Sequence, residues 1–236
     1  MKSREFLKSN WRQIKNTDRE KGIEKPEIEK DCEKVIKLPE FNLGSKPLRE
    51  VIEERKSIRK YTDTPLSLQE LSFLLWATQG VRKYIQDKKV VFRTVPSAGA
   101  THPFDTYLVV FNVEGLEKGI YRYVSLKHGL CKVKPGDFKD KIIDATLGQQ
   151  FVGNSAVVFV WVVVPYRTEW KYAAESYKAI AIDVGHVCQN LYLAATSIDC
   201  GTCAVAAYDQ EKMDNLIGVD GDNEMVIYLA PVGKIV

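Results

Sequence analysis

Residues 176–207, SYKAIAIDVGHVCQNLYLAATSIDCGTCAVAA, constrain this chain more than any other stretch. Between residues 179 and 196 there is almost no charge, and the apolar residues surround a helix instead of lining one stripe. A helix with no face suited to water belongs inside a core or between subunits. Its few polar residues, Asp183, His186, Gln189 and Asn190, recur at spacings of three and four and share one face. Buried polar groups need partners; protein, water or a bound polar ligand could each supply them. Gly201 reads as the stop of the element, and residues 204–207 as the entry to a small-residue strand.

The flanking segments mix helices with strands. A helix begins near Pro47, with Leu48, Val51 and Ile52 on one face. Ser67 and Glu70 make a capping box for a second helix that Gly80 stops. Pro96, Gly99 and Pro103 turn residues 95–103 into a loop. Residues 104–113 alternate as a strand, and 119–124 with 130–133 form a hairpin. The run AVVFVWVVV at 156–164 is too short for a bilayer and reads as a strand buried on both faces. Helices over 138–147 and 210–217 and a closing strand over 224–232 complete an α+β or α/β class with a mixed sheet. Residues 1–45, dense in charges of alternating sign, read as an arm, docked or mobile, ahead of a domain over 46–236.

Composition excludes some partners. A net charge of +3 argues for neither nucleic acid nor an anionic membrane surface. The opening MKSREFLKSNW lacks the apolar core of a secretory signal, and five cysteines is an odd number. Together these predict free thiols and a cytoplasmic protein.

Chemistry concentrates at few places. Arg55, Lys56, Ser57 and Arg59 form a cationic cluster with a hydroxyl, suited to phosphate oxygens, although such a run alone is often a solvated helix end. Pro96, Ser97, Ala98 and Gly99 carry little bulk and let backbone approach a planar ligand. Lys234 follows Gly233 after the last strand. Cys200 and Cys203 have CxxC spacing, but without a second pair they favour packing over metal, and no metal site is expected. His102, His128 and His186 fit no hydrolase or zinc pattern, and neither a Walker A sequence nor a GxGxxG fingerprint is present.

In chain order, RKSIRKY, LSLQELSFLLWATQG, VPSAGATHPFDTYLVV, GIYRY, GHVCQNLYLAAT and a closing VGK resemble the nitroreductase-like flavoprotein superfamily, and more narrowly its SagB-type dehydrogenase branch. The resemblance covers about residues 45–236. It implies an α+β three-layer sandwich, a mixed sheet flanked by helices, whose long central helices form a homodimer interface with FMN between the subunits. It places Arg55, Lys56, Ser57, Arg59 and Lys234 at the phosphate and ribityl end. Pro96, Ser97, Ala98 and Gly99 border the ring from the other subunit. Gln149 and Asn190 are polar contacts, and Cys200, Gly201 and Thr202 fill the family's Gly-Leu-Gly turn. Lys171 and Tyr172 match the catalytic Lys-Tyr pair of SagB-type azoline oxidases, where they assist proton removal; read without the family, they are a surface lysine and a packing tyrosine. Glu175 and Lys178 stand where family members often carry Arg, and Cys200 replaces the usual Leu.

The implied activity is FMN-dependent oxidation and reduction through flavin N5. NAD(P)H would reduce a quinone or nitroaromatic acceptor, or a small or peptide azoline-like substrate would be oxidised. A flavin-binding or sensing protein without turnover is the alternative, and a metal protein using Cys188, Cys200 and Cys203 a third.

Overall fold

The computed structural model of the chain describes residues 7–8 and 11–235. Strand β1 (Val35–Lys37) precedes helices α1 (Leu48–Glu54) and α2 (Leu68–Gln79). A hairpin of β2 (Val81–Ile85) and β3 (Val90–Arg93) leads to β4 (Phe104–Val110), β5 (Gly119–Val124) and β6 (Gly129–Pro135). Then come α3 (Lys139–Ala145), α4 (Gln150–Gly153), β7 (Val157–Val163) and α5 (Tyr166–Tyr172). The 22-residue α6 (Ser176–Ser197), β8 (Cys200–Thr202), α7 (Gln210–Ile217) and β9 (Met225–Lys234) finish the chain.

The apolar run of β7 lies in the middle of a seven-stranded sheet ordered β1-β6-β5-β4-β7-β9-β8. Alternation along β7 explains the layers. Phe159, Trp161 and Val163 face one core with Leu71, Leu74 and Leu75 of α2 and Val184, Val187 and Leu191 of α6. Val158, Val160 and Val162 face the other core, with Ile142 of α3, Val152 of α4 and Met213 and Ile217 of α7. The result is helices, sheet, helices: the expected three-layer sandwich. All pairings between named strands are antiparallel. Parallel bridges join Ser57 to Thr202, which extends the β8 edge, and Leu66 to Val113.

The capping box forms as expected, with Ser67 accepting from the Glu70 N–H and the Glu70 carboxylate accepting from the Ser67 N–H. Three readings of the sequence need correction. Gly201 does not stop α6, which ends at Ser197; the left-handed turn falls to Asp199 (φ 54°), and Gly201 lies within β8. There a side chain would collide with Ile58 and Ile235, so close packing is what requires glycine. Residues 204–207 contribute only a bridge from Val205 to Leu229. The helix α6, expected inside a core or between subunits, packs on the sheet with one side and leaves the other open, with Tyr177 and Ile182 each 51% exposed. Finally, the cysteines are not all free: Cys32 and Cys131 form a disulfide, while Cys188, Cys200 and Cys203 are free and buried.

The arm is docked where described. β1 pairs with β6, the Glu29 carboxylate accepts from the Ser125 N–H (2.9 Å) and hydroxyl (2.7 Å), and Arg167 Nε donates to Glu27 O (2.9 Å). No helix among the described residues is long and apolar enough to cross a membrane.

Candidate functional site

Two clusters of the expected residues form. The first sits at the β8 edge. Backbone bonds from Ile58 N to Thr202 O and Thr62 N to Lys234 O, both 2.9 Å, stitch the Arg55–Arg59 segment to β8 and β9. Cys200 and Lys234 are cross-strand partners. The Ser57 hydroxyl meets Tyr192 Oη at 3.0 Å, and Tyr192 Oη also accepts from Ala204 N at 2.8 Å. With its hydrogen bond from Ala204 in place, Tyr192 can donate to Ser57, which fixes the serine lone pairs and leaves its proton available. The Arg55 guanidinium lies 5.5 Å over the Tyr192 ring and that of Arg59 5.8 Å over the Phe151 ring. Neither they nor Lys56 has a carboxylate partner among the described residues. Such an uncompensated set, held by stitched backbone, fits a phosphate.

Lys234 is different. Burial opposes its charge, yet its bond to Glu70 holds its pKa above the ordinary lysine range. Cys200 and Thr202 are buried, and the Thr202 hydroxyl donates to Pro231 O (2.8 Å), so a neighbour at this turn meets backbone. Burial pushes the Cys188 and Cys200 thiols up to about 12, so they remain thiols and poor metal ligands at neutral pH. No group that could hold a metal ion occurs among the described residues.

The second cluster surrounds the loop of Pro96, Ser97, Ala98 and Gly99. Gly99, Ala100 and His102 all have left-handed φ (57°, 54° and 44°), which costs roughly 1–3 kcal/mol at each non-glycine position. Several bonds hold the loop there. Ala98 N donates to Asp183 Oδ2 (2.9 Å), His102 N to Ser97 Oγ (3.0 Å), and Lys171 Nζ to Gly99 O (3.0 Å). Tyr172 lies beside Lys171 at Gly99, where any side chain would run into both. Burial, then the Arg19 charge, lowers the Lys171 pKa below the usual lysine range. Burial raises the Asp183 carboxyl, opposed by its bonds from Ser97 and Ala98.

Within one chain the clusters are apart. Asp183 belongs to the second and Tyr192 to the first, and the nine helical steps from one to the other rise about 13 Å. Asn190 Nδ2 donates to Ala77 O (2.8 Å), tying α6 to α2, and Gln149 Nε2 donates to Thr146 O (2.9 Å) and Ala207 O (2.8 Å). Both amides keep an oxygen for other contacts and lie in neither cluster's hydrogen-bond network. Reading the sequence missed Asp183 as the holder of the loop, although it is the lone acid in the apolar helix. Tyr192 and the second role of Glu70 had no sequence signal.

The model of the Nitroreductase family matches residues 52–234, which contain both clusters. The chain belongs to this family. Among its relatives within the nitroreductases, "Putative nitroreductase MJ1384" of Methanocaldococcus jannaschii is 34% identical over 199 residues, covering 84% of this chain and 96% of that protein. The trifolitoxin operon protein TfxC of Rhizobium leguminosarum bv. trifolii is 23% identical, covering 83% of this chain and 57% of TfxC. A crystal structure of a putative nitroreductase from Ralstonia eutropha superposes with a TM-score of 0.71 at 27% identity, covering 86% of this chain and 90% of that one. A structure from Anabaena variabilis gives 0.73 at 23% identity and 85% of this chain, which spans 41% of that longer protein.

Proposed function

We propose that this nitroreductase-family chain is an FMN-dependent oxidoreductase working as a homodimer. Each FMN would lie between the Arg55–Arg59 cluster of one chain and the Pro96–Gly99 loop of the other. The observation that carries the reading is the trio Arg55, Lys56 and Arg59, without carboxylate partners among the described residues, on backbone locked to β8 and β9. The separation of the two clusters along α6 supports a shared site, as do the open Tyr177 and Ile182 on that helix.

In this reading Arg55, Lys56, Arg59 and the Ser57 hydroxyl hold the phosphate, joined by Lys234. The β8 backbone at Cys200, Gly201 and Thr202 and the Pro96–Gly99 loop orient the ring, with Gln149 and Asn190 as further polar contacts. Bound FMN supplies hydride transfer at N5 between NAD(P)H and a quinone or nitroaromatic acceptor. The chain's contribution is position and charge: fixed N–H groups and cations favour negative charge on what they hold.

A narrower reading, a SagB-type oxidase of azoline-like substrates, is favoured by the similarity to TfxC and by Lys171 and Tyr172 meeting at Gly99. There the neutral Lys171 amine would take the proton lost by the substrate, beside the Tyr172 hydroxyl. Its lowered pKa suits that role.

The shared site can be tested by complementation. Arg59→Ala damages one cluster, and Gly99→Val the other, so each homodimer should lose FMN and naphthoquinone reduction with NAD(P)H. Co-expressed, the two variants should regain one intact site per heterodimer. No recovery in a verified heterodimer contradicts the shared site. Bound FMN without turnover by the unmodified protein would instead favour a flavin-binding protein.

A further inference from the structure

The N-terminal arm lies outside the residues that the family model matches, 52–234, yet it reaches the second cluster. Trp11 meets Tyr172 edge to face, with ring centroids 5.1 Å apart. It lines a cavity of about 440 Å³ with Pro96, Ala98, Ala179, Ile182 and Asp183. The indole is still 47% exposed, so much of its surface is open.

The chain is fixed on both sides of Trp11. Lys178 Nζ donates to Leu7 O (2.6 Å) before it. After it, Arg19 N donates to Trp170 O (2.9 Å), Tyr166 Oη to Asp18 Oδ2 (2.9 Å), and Trp170 Nε1 to Ile23 O (2.8 Å). Three of these four anchors are on α5, the helix that carries Lys171 and Tyr172. The arm therefore registers Trp11 against the same element that positions those two side chains. Ser97, Lys178 and His186 also border the cavity, but its surface is predominantly apolar, the Asp183 Oδ2 is bonded to Ala98 N, and the Lys178 ammonium donates to Leu7 O. An apolar slot with one aromatic wall suits a flat, uncharged ring, which gains contact area without leaving a charge desolvated.

We infer that the anchored arm supplies Trp11 as a wall of the acceptor-binding site, the aromatic surface against which a flat, uncharged ring such as a naphthoquinone packs. This rests on the FMN reading, which takes the neighbouring Pro96–Gly99 loop as the border of the flavin ring. Trp11 acts by contact alone; no proton or electron passes through it.

The test compares wild type, Trp11→Ala and Trp11→Phe as full chains loaded with FMN. Calorimetry measures the affinity of the oxidised proteins for 2-methyl-1,4-naphthoquinone; steady-state kinetics compare that acceptor with ferricyanide, a charged one-electron acceptor. Trp11→Ala should raise the naphthoquinone Kd and KM about fivefold, the scale of a lost aromatic pair. Its kcat, ferricyanide reduction and FMN content should match wild type, and Trp11→Phe should restore most of the affinity. An unchanged naphthoquinone Kd in Trp11→Ala overturns the inference, as does an equal loss toward ferricyanide or a loss of FMN. A wild-type chain that takes up no FMN overturns the functional reading and this inference together. A fully loaded Trp11→Ala with wild-type affinity overturns this inference alone.

Discussion

Glu70 holds Lys234 of the last strand while closing the first turn of α2, so a helix cap and a candidate phosphate ligand share one carboxylate. A phosphate arriving at Lys234 must compete with that carboxylate. Glu70→Gln removes the negative charge but keeps a side chain able to complete the capping box. It should tighten FMN binding about two- to fivefold, the scale of a partly exposed ion pair. The loss of stability should stay below about 1 kcal/mol. Fluorescence titration with FMN and a denaturant melt read the two quantities; unchanged or weaker binding would exclude Lys234 as a phosphate contact.

Arg59 has an aromatic neighbour in Phe151 but no acidic one. Arg59→Ala should cost roughly 2–5 kcal/mol of FMN binding, the scale of a desolvated charge pair that loses one partner, whereas Arg12→Ala in the arm should leave it near wild type. Equal retention by both variants would remove the phosphate assignment from the 55–59 segment.

Lys171 owes part of its lowered pKa to Arg19 and the larger part to burial. Where activity needs the neutral amine, the rate rises with pH through the Lys171 pKa. Arg19→Gln removes the repulsive charge, so that pKa should move up and the rising limb of the pH–rate profile with it. Lys171→Met should abolish the limb. A limb that stays fixed in Arg19→Gln would show that another group titrates.

His102 is buried, and this desolvation, with the Arg93 and Lys25 charges, holds its pKa down to about 3 against an ordinary 6.5. Above pH 6.5 the ring is neutral in folded and unfolded chains alike. As pH falls from 6.5 toward about 3, only the unfolded chain takes the proton, so stability falls by up to about 1.4 kcal/mol per pH unit. His102→Asn, which tolerates the left-handed backbone there, should flatten that slope in denaturant melts across the window. A slope identical to wild type would mean that His102 protonates freely in the folded chain.

What the sequence disclosed depended on distance along the chain. The Ser67–Glu70 cap, the bounds of Gln210–Ile217 and the double burial of β7 are local patterns, and each appears as expected. Residues 81–93 form a hairpin that the sequence pattern does not announce, because β2 is largely exposed and lacks a clean alternation. The partner of Asp183 is the Ala98 N–H, 85 residues earlier, and Cys32 bonds to Cys131 across 99 residues. No spacing rule reaches such pairs. Gly201 misled for another reason: beside Cys200 it resembled a stop, but it is small because Ile58 and Ile235 close over it. The cationic cluster at 55–59 and the Pro96–Gly99 loop stood out in the sequence, the family resemblance tied them to one cofactor, and the geometry added the residues that hold them, Asp183, Tyr192 and Glu70.

In the proposed function the trio Arg55, Lys56 and Arg59 holds the phosphate of FMN. That role is tested most directly by the visible absorption spectrum of the purified chain after incubation with FMN and removal of excess. An oxidised-flavin spectrum is expected, with about one FMN released per chain on denaturation, and loss of most of that absorbance in Arg59→Ala. A colourless protein that takes up no FMN would contradict it.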